Sequence, residues 1–408
     1  MTNQSYKELP GGVCAPKGFT ANGVHCGIRK NTSKADLALL VSEVPAAAAA
    51  VYTTNLVQAA PLLVTKEHLQ NGTARAVICN SGNANCCTAN GVIIAEAMCA
   101  LVEQHTGLVA EDVIVASTGV IGVPLPLRPI ENGMAALAAG LGPDGTSAAH
   151  AIMTTDTYAK ECAVELTLGG AACRIGAMAK GSGMIHPNMA TMLAFVTTDA
   201  AVSPALLHGL LQSVADDTFN MVTVDGDTST NDMCCILANG LAGNTLIADE
   251  NEDYQLFRAA LHCVLAKISK MLAGDGEGAT KLMVCAVSGA KTKGDARRLA
   301  KSVAGSSLLK CAVFGCDANW GRVLCALGYA GANVDVKKIG VRFRSEAGEI
   351  LVCENGAGVS FSEALAAKIL AAKEIEILIA CGDGEATATA WGCDLTYDYV
   401  KINGDYRT

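Results

Sequence analysis

The residues with the greatest chemical potential sit in "HPNMATMLAF", His186 to Phe195, where Thr191 puts a hydroxyl into an apolar run. A threonine hydroxyl is a poor nucleophile until something takes its proton. One solution makes the threonine the first residue of a chain, so that its own α-amine, with a pKa of about 8, is the base. The β-branch restricts χ1 and helps hold Oγ in place. This chemistry requires cutting the Ala190–Thr191 bond, and attack of the hydroxyl on the preceding carbonyl would do it. Small Ala190 leaves that carbonyl accessible. The other reading is a buried strand threonine with a satisfied hydroxyl, and the local pattern leaves both open.

Three further groups belong to the same question. Lys180 opens the glycine-rich lead-in "KGSGMIHP" and is either a solvated lysine or a cation for a substrate carboxylate. His186 is either half of a His-Pro turn or a base for Thr191. "ASTGVIG", Ala116 to Gly122, places Thr118 and Gly119 at a strand end. Such a turn is either ordinary or an oxyanion hole, with donors converging on one oxygen.

Other chemistries are excluded. "GDGEGA", from Gly274, fits a loose dinucleotide fingerprint, but a helical pattern precedes it, and Asp275 and Glu277 would repel a pyrophosphate. Neither a P-loop sequence nor a G-x-S-x-G elbow occurs. The 18 cysteines contain no C-x-x-C, and the 7 histidines no H-x-x-x-H. The expectation is therefore no metal, no cofactor and reduced thiols packed as small hydrophobes. A net charge of -9 argues against nucleic acid. The basic stretch "KTKGDARRLAKS", Lys291 to Ser302, reads as a solvated helix face, with a phosphate contact as the alternative. Mean hydropathy is +0.33, yet no uncharged apolar run reaches the roughly eighteen residues of a membrane span. The N-terminal residues lack a basic-then-apolar signal pattern, so a cytoplasmic protein is expected.

These groups need rigid elements to hold them. Alternating strand and helix signals run throughout and predict an α/β protein with much sheet. Strands are expected over 38–54, 74–82 and 111–122, and helices over 91–107 and in "YQLFRAALHCVLAKISKMLAG". A helix should start at Pro204 behind an Ser203 cap. "EIEILIACGDGEATATAWGCDLTYDYVKING" reads as strand, turn, strand. The pattern restarts near Met283, which suggests a main domain 1–283, a smaller α/β domain 284–390 and a C-terminal segment 391–408. "GDGE" recurs at Gly382, a match too short to carry an internal duplication.

Together these stretches resemble a known family. "KGSGMIHPNMATML" is similar to the self-processing segment of the ornithine acetyltransferases, the glutamate N-acetyltransferases of arginine biosynthesis. "CNSGNANCCTANG", "STGVIG", "IMTTDTYAKE", "VDGDTSTND", "GDGEGATK", "DANWGRVLCALGYAG" and the C-terminal "WGCDLTYDYVKINGDYRT" fit the same family in order along nearly the whole chain. One departure is the run Cys87, Thr88, Ala89, outside the catalytic matches.

The resemblance implies a fold like that of N-terminal-nucleophile hydrolases, stacked sheets flanked by helices, with the family's own topology. It implies self-cleavage between Ala190 and Thr191, giving fragments 1–190 and 191–408 that associate as a heterotetramer of two copies each. Thr191 would be the nucleophile, Thr118 and Gly119 the oxyanion hole, and Thr154, Lys180, Thr191, Glu277, Asn403 and Thr408 the substrate-binding positions. The implied reaction moves an acetyl group from N2-acetylornithine to glutamate. Some family members also accept acetyl-CoA, and no feature of this chain decides that. Two rival readings are an aminopeptidase or amidase with the same nucleophile, and a non-catalytic amino-acid-binding protein.

Overall fold

The computed structural model describes residues 6–186 and 192–405. The expected cleavage pair Ala190–Thr191 and the expected binding residue Thr408 lie outside the described residues. The chain begins with strands β1 (Tyr6–Leu9), β2 (Phe19–Val24) and β3 (Leu37–Tyr52), then α1 (Ala60–His68), β4 (Thr73–Asn83), α2 (Gly91–Thr106) and β5 (Val113–Val120). Next come α3 (Leu127–Ala139), α4 (Thr146–Ala151), β6 (Lys160–Leu168), β7 (Ala171–Lys180), β8 (Leu193–Thr198) and α5 (Pro204–Asp217). They are followed by β9 (Val222–Thr223), β10 (Met233–Ala238), α6 (Glu252–Gly274), β11 (Leu282–Ala290), α7 (Lys293–Ala304), α8 (Ser307–Phe314) and α9 (Trp320–Gly328). The last elements are β12 (Gly340–Ser345), β13 (Gly348–Glu354), β14 (Ala357–Gly358), α10 (Glu363–Leu370), β15 (Glu374–Ala380), β16 (Ala386–Cys393) and α11 (Tyr397–Asp405). The expected α/β class is borne out.

The described residues form two compact units. The first comprises 6–181, 192–216 and 228–268, the second 182–186, 217–227 and 269–405. One changeover falls inside α6, upstream of Met283, where an uninterrupted helical pattern leaves no compositional break.

In the first unit the strand order is β1-β6-β7-β8-β10-β3-β4-β5, with β2 also paired to β3. The β8–β10 and β4–β5 pairs are parallel. β3 is long enough to serve two neighbours in succession: Leu37–Ser42 pair with β2 and Ala47–Tyr52 with β10. Pro45 lies between those stretches, inside a break in register with β4, where the ladder bond it cannot donate is not needed. Strand alternation splits the apolar residues between two cores. Leu37, Leu39, Ala76, Ile78, Val113 and Val115 pack with Met98, Val102, Ile130 and Met134 of α2 and α3. Ala38, Leu40, Val77, Cys79 and Ile114 turn to the opposite core with Met178, Leu193, Phe195 and Met233.

The second unit's sheet runs β14-β13-β12-β15-β11-β16-β9. Met283, Cys285 and Val287 of β11 and Ile375, Ile377 and Ile379 of β15 are buried in alternation. α7 packs on β11 and β16, and α10 on β12 and β13. Of the basic stretch 291–302, Lys291 and Thr292 precede α7 and the rest lies in that helix. Lys293 and Arg297 pair with Asp217, at 2.9 Å each, and Arg298 with Asp295 at 2.6 Å.

The strand expected at the C-terminus is a correction: its second half is the helix α11. Its aromatic and β-branched residues favour strand, but propensity yields to packing. Thr396 Oγ1 donates to Gly278 O at 2.7 Å, and the Asp398–Tyr399 backbone lies against Gly278 so closely that a Cβ there would stand 2.7 Å from Tyr399 N. Among the described residues no helix is long and apolar enough to cross a membrane, and no group of histidine, cysteine and carboxylate side chains is arranged to hold a metal ion.

Phe195 is fully buried in β8, in the strand that leads away from the expected cleavage junction. Phe195→Ala should destabilise the protein by about 3–5 kcal/mol, read as a lower denaturant midpoint.

Candidate active site

β4 and β5 run parallel, and their ends bring Ser81 opposite Thr118 and Gly82 opposite Gly119. Gly119 has φ +133, and a Cβ there would lie 2.3 Å from the Gly82 carbonyl carbon. Only glycine fits both the conformation and the space. The asparagines of "CNSGNAN" build this end of the sheet. Ser117 Oγ donates to Asn80 Oδ1 at 2.6 Å, and Asn80 Nδ2 donates to Asn83 O at 2.9 Å. Asn231 Nδ2, arriving just before β10, donates to Ala84 O at 2.6 Å and Ser117 O at 2.8 Å. Buried amides on both sides hold this backbone turn in place, the rigidity that an oxyanion site would need.

Lys180 ends β7 and is almost wholly buried. Its Nζ stands 3.5 Å from Thr118 Oγ1. The sheet register pairs Lys180 with Leu193, two residues beyond Thr191. Burial pulls the Lys180 pKa down, while Asp156 works to raise it.

Asp156 organises this side of the site. Its Oδ1 accepts from Lys160 Nζ at 2.6 Å and from the Gly181 amide at 2.6 Å, and its Oδ2 accepts from the Thr154 amide at 2.9 Å. Asp156 and Lys160 side chains are both fully buried. Burial raises the Asp156 pKa, but Lys180, Lys160 and the Gly181 amide outweigh it and hold the carboxyl down at about 2. One carboxylate thus fixes Thr154, an expected binding position, and Gly181, the residue after another, Lys180.

In the second unit two sequence stretches meet. The Glu277 amide donates to Ser182 O at 3.0 Å, and Ser182 Oγ donates to Asp275 O at 2.6 Å. "GDGEGA" therefore binds the lead-in "KGSGMIHP". The Glu277 carboxyl lies over Gly183 so closely that a Cβ there would sit 2.3 Å from its carboxyl carbon. Asn403 Nδ2, on α11, donates to Glu277 Oε2 at 2.7 Å. Asp225 Oδ2 accepts from the Met184 amide at 2.6 Å and Oδ1 from the Ile185 amide at 2.8 Å, and Tyr399 OH stands 3.3 Å from Oδ2.

His186 is ill suited to the role of base. Its Nδ1 lies 2.9 Å from Thr223 Oγ1, and burial, with Lys301 adding to it, pushes its pKa down to about 4. An imidazole that weakly basic is a poor proton acceptor near neutrality.

Among the described residues, then, Thr118, Gly119, Thr154 and Lys180 gather in the first unit, and Glu277 and Asn403 in the second. Asp156, Asp225 and Asn231 are organising residues that residue-by-residue reading did not single out. The signal available was weak: each is an acidic or amide residue among hydroxyls, in "TTDTYAK" or "VDGDTSTND".

Comparison with known proteins matches residues 20–408 to the ArgJ family. The chain is 55% identical over 403 residues to the arginine biosynthesis bifunctional protein ArgJ of Symbiobacterium thermophilum, covering 98% of this chain and 99% of that protein. It is 49% identical over 402 residues to the protein of the same name from Caldanaerobacter subterraneus subsp. tengcongensis, covering 98% and 99%. A crystal structure of the bifunctional ArgJ of Bacillus halodurans aligns with TM-score 0.51 and 44% identity, covering 53% of this chain and 100% of that one. Matched from end to end by relatives about half identical to it, the chain belongs to the ArgJ family.

Proposed function

We propose that this chain is an acetyltransferase of arginine biosynthesis that moves an acetyl group from N2-acetylornithine to glutamate through Thr191. One observation carries the reading. Lys180 stands 3.5 Å from Thr118 Oγ1 and pairs in the sheet with Leu193. Lys180, Thr118 and the chain just past residue 191 thus share one sheet end, which supports reading them as carboxylate-binding cation, oxyanion donor and the approach to the nucleophile.

Activation starts when Thr191 Oγ attacks the Ala190 carbonyl. The peptide bond becomes an ester, and water hydrolyses it to an Ala190 carboxylate and a free Thr191 α-amine. In the acetyl cycle Thr191 Oγ attacks the acetyl carbonyl of N2-acetylornithine while the α-amine takes its proton. Thr118 and Gly119 stabilise the tetrahedral oxyanion, a donor pair of which each member is worth about 3–4 kcal/mol of barrier. The α-ammonium returns the proton to the leaving nitrogen, ornithine departs, and an acetyl ester remains on Thr191. The glutamate α-amine attacks that ester, its proton passes to the α-amine and back to Oγ, and N-acetylglutamate leaves.

Both amino acids carry an α-carboxylate, which Lys180 binds. Thr154, whose amide is held by Asp156, is a further binding residue in this reading. Glu277, oriented by Asn403, takes the side-chain ammonium of ornithine. Thr408 completes the set of binding residues from the chain end. No step calls on a metal or a cofactor. The relatives' name, bifunctional, supports acetyl-CoA as a second donor. A solved relative whose whole chain matches 53% of this one supports cleavage into fragments 1–190 and 191–408, which in this reading stay together as a heterotetramer of two copies each. Soluble amino-acid substrates support a cytoplasmic location.

Purified protein should run as two fragments on a denaturing gel, the second beginning at Thr191. Thr191→Ala should remain one chain and lose transfer activity; full activity in that variant would end the proposal. Lys180→Met should raise KM for both substrates by roughly a hundredfold or more, as expected when a charged partner is lost from a buried site, and should spare the carboxamide analogue of N2-acetylornithine. Equal losses with acid and amide would remove Lys180 from the carboxylate role. Deleting residues 403–408 should weaken substrate binding, and steady-state kinetics unchanged by the deletion would exclude Asn403 and Thr408.

A further inference from the structure

The loop between β4 and α2 carries two adjacent cysteines, Cys86 and Cys87, whose sulfurs stand 3.6 Å apart. Neighbouring residues of a strand turn their side chains to opposite faces. Cys234 and Cys235 do so in β10, where both are fully buried and only Cys235 joins the core of Leu193 and Phe195. At Cys86 and Cys87 that alternation is broken. Asn85 has φ +47 and Cys87 φ +58, a left-handed backbone that residues other than glycine seldom adopt. The two thiols therefore converge instead of diverging.

The loop is held in this conformation from several sides. Asn83 Oδ1 accepts from the Asn85 amide at 2.8 Å, and Asn85 Nδ2 donates at 2.8 Å to the carbonyl of Gly91, the first residue of α2. The Gly122 amide donates to Cys86 O at 3.0 Å, and the Cys86 side chain packs with Ala59 and Ala84. Cys86 is thus a fixed and buried thiol, and Cys87 beside it is exposed. Burial holds the Cys86 thiol above its ordinary pKa, so it keeps its proton near neutrality.

We propose that Cys86 and Cys87 form a dithiol site that chelates one soft, thiophilic centre of the trivalent organoarsenic class. Separation and donor count select this ligand over two others. Disulfide sulfurs lie about 2 Å apart, so closing a bond here would need these two, at 3.6 Å, to approach by about 1.5 Å. Two sulfurs bound to one tetrahedral centre at about 2.3 Å are roughly 3.8 Å apart, close to the separation already present. A structural zinc ion takes four ligands. Among the described residues no group of three or more histidine, cysteine and carboxylate side chains is arranged to hold a metal ion. A trivalent arsenic bearing its own organic substituent needs only two thiols. The reaction calls for no oxidant. An arsenoxide, R–As=O, condenses with both thiols: two As–S bonds form, the As=O bond and two S–H bonds break, and the oxygen leaves as water with the two thiol protons. Exposed Cys87 captures the arsenic first, and Cys86 closes the ring.

The test adds phenylarsine oxide to the freshly reduced full chain and reads intact mass and peptide mass. Wild type should take up one phenylarsenic group, located on the peptide that contains Cys86 and Cys87. Excess 2-mercaptoethanol should leave it in place, and 2,3-dimercaptopropanol should remove it. The second thiol binds intramolecularly, so Cys86→Ala and Cys87→Ala should each weaken binding by roughly a hundredfold or more. An adduct on another peptide, no adduct, release by the monothiol, or unchanged binding in either variant overturns the proposal. Peptide location and monothiol resistance are read on wild type, so a variant that fails to fold does not remove the test. Neither cysteine has a role in the proposed acetyl transfer, and the adduct is read on whichever chain carries residues 84–90. Failure of self-cleavage or of transfer activity would therefore be a separate result.

Discussion

The buried carboxylate of Asp156 is the interaction on which the first unit's candidate residues depend. It brings together an ammonium from Lys160 and the amides of Thr154 and Gly181. Taking a carboxylate and an ammonium out of water is costly, and their attraction offsets this only when further hydrogen bonds complete the pair. Asp156 meets that condition with two backbone donors. Two residues of different elements are then locked at one point, and Lys180 ends β7 in a known direction. Without Asp156, Lys160 and Lys180, two buried ammonium groups that repel each other, would lose the carboxylate that attracts both.

The second organising constraint is steric. At Gly119 and Gly183 another group occupies the space of a side chain: the backbone of Gly82 in one case, the carboxyl of Glu277 in the other. Close approach lets a backbone amide or a carboxylate stand where a side chain would block it. The glycine-rich stretches thus act less as flexible hinges than as surfaces against which charged groups are pressed. The second unit uses Asp225 in the same spirit, clamping the amides of Met184 and Ile185 so that the lead-in has a fixed course.

Much of the fold was legible in the residues. The apolar runs of β3, β4 and β5, whose successive residues are buried in two opposite cores, and the amphipathic run of α6 follow directly from pattern. α11 was not legible, because Tyr397, Tyr399 and Val400 favour strand and only contact with Gly278 and Glu277 explains the helix. The site was legible in part. Thr118, Gly119, Lys180 and Glu277 could be named from motifs, whereas Asp156 and Asn231 could not. Their importance lies in which backbone groups they reach, and those lie more than a hundred residues away for Asn231. His186 shows the converse: its neighbour in sequence made it a natural base, and burial beside Lys301 makes it a weak one.

By itself the sequence determined the types of group available: a hydroxyl after a small residue, a lysine before glycines, a glutamate in a glycine loop. It also determined the family, because long uncommon stretches occur in order. Tertiary structure decided which of those groups share a place and in what charge state. Lys180 meets Thr118 across 62 positions of chain, and "GDGEGA" meets the lead-in across more than ninety. Those encounters rest on strand register and on the desolvation of paired charges, both of which arise only when distant segments pack.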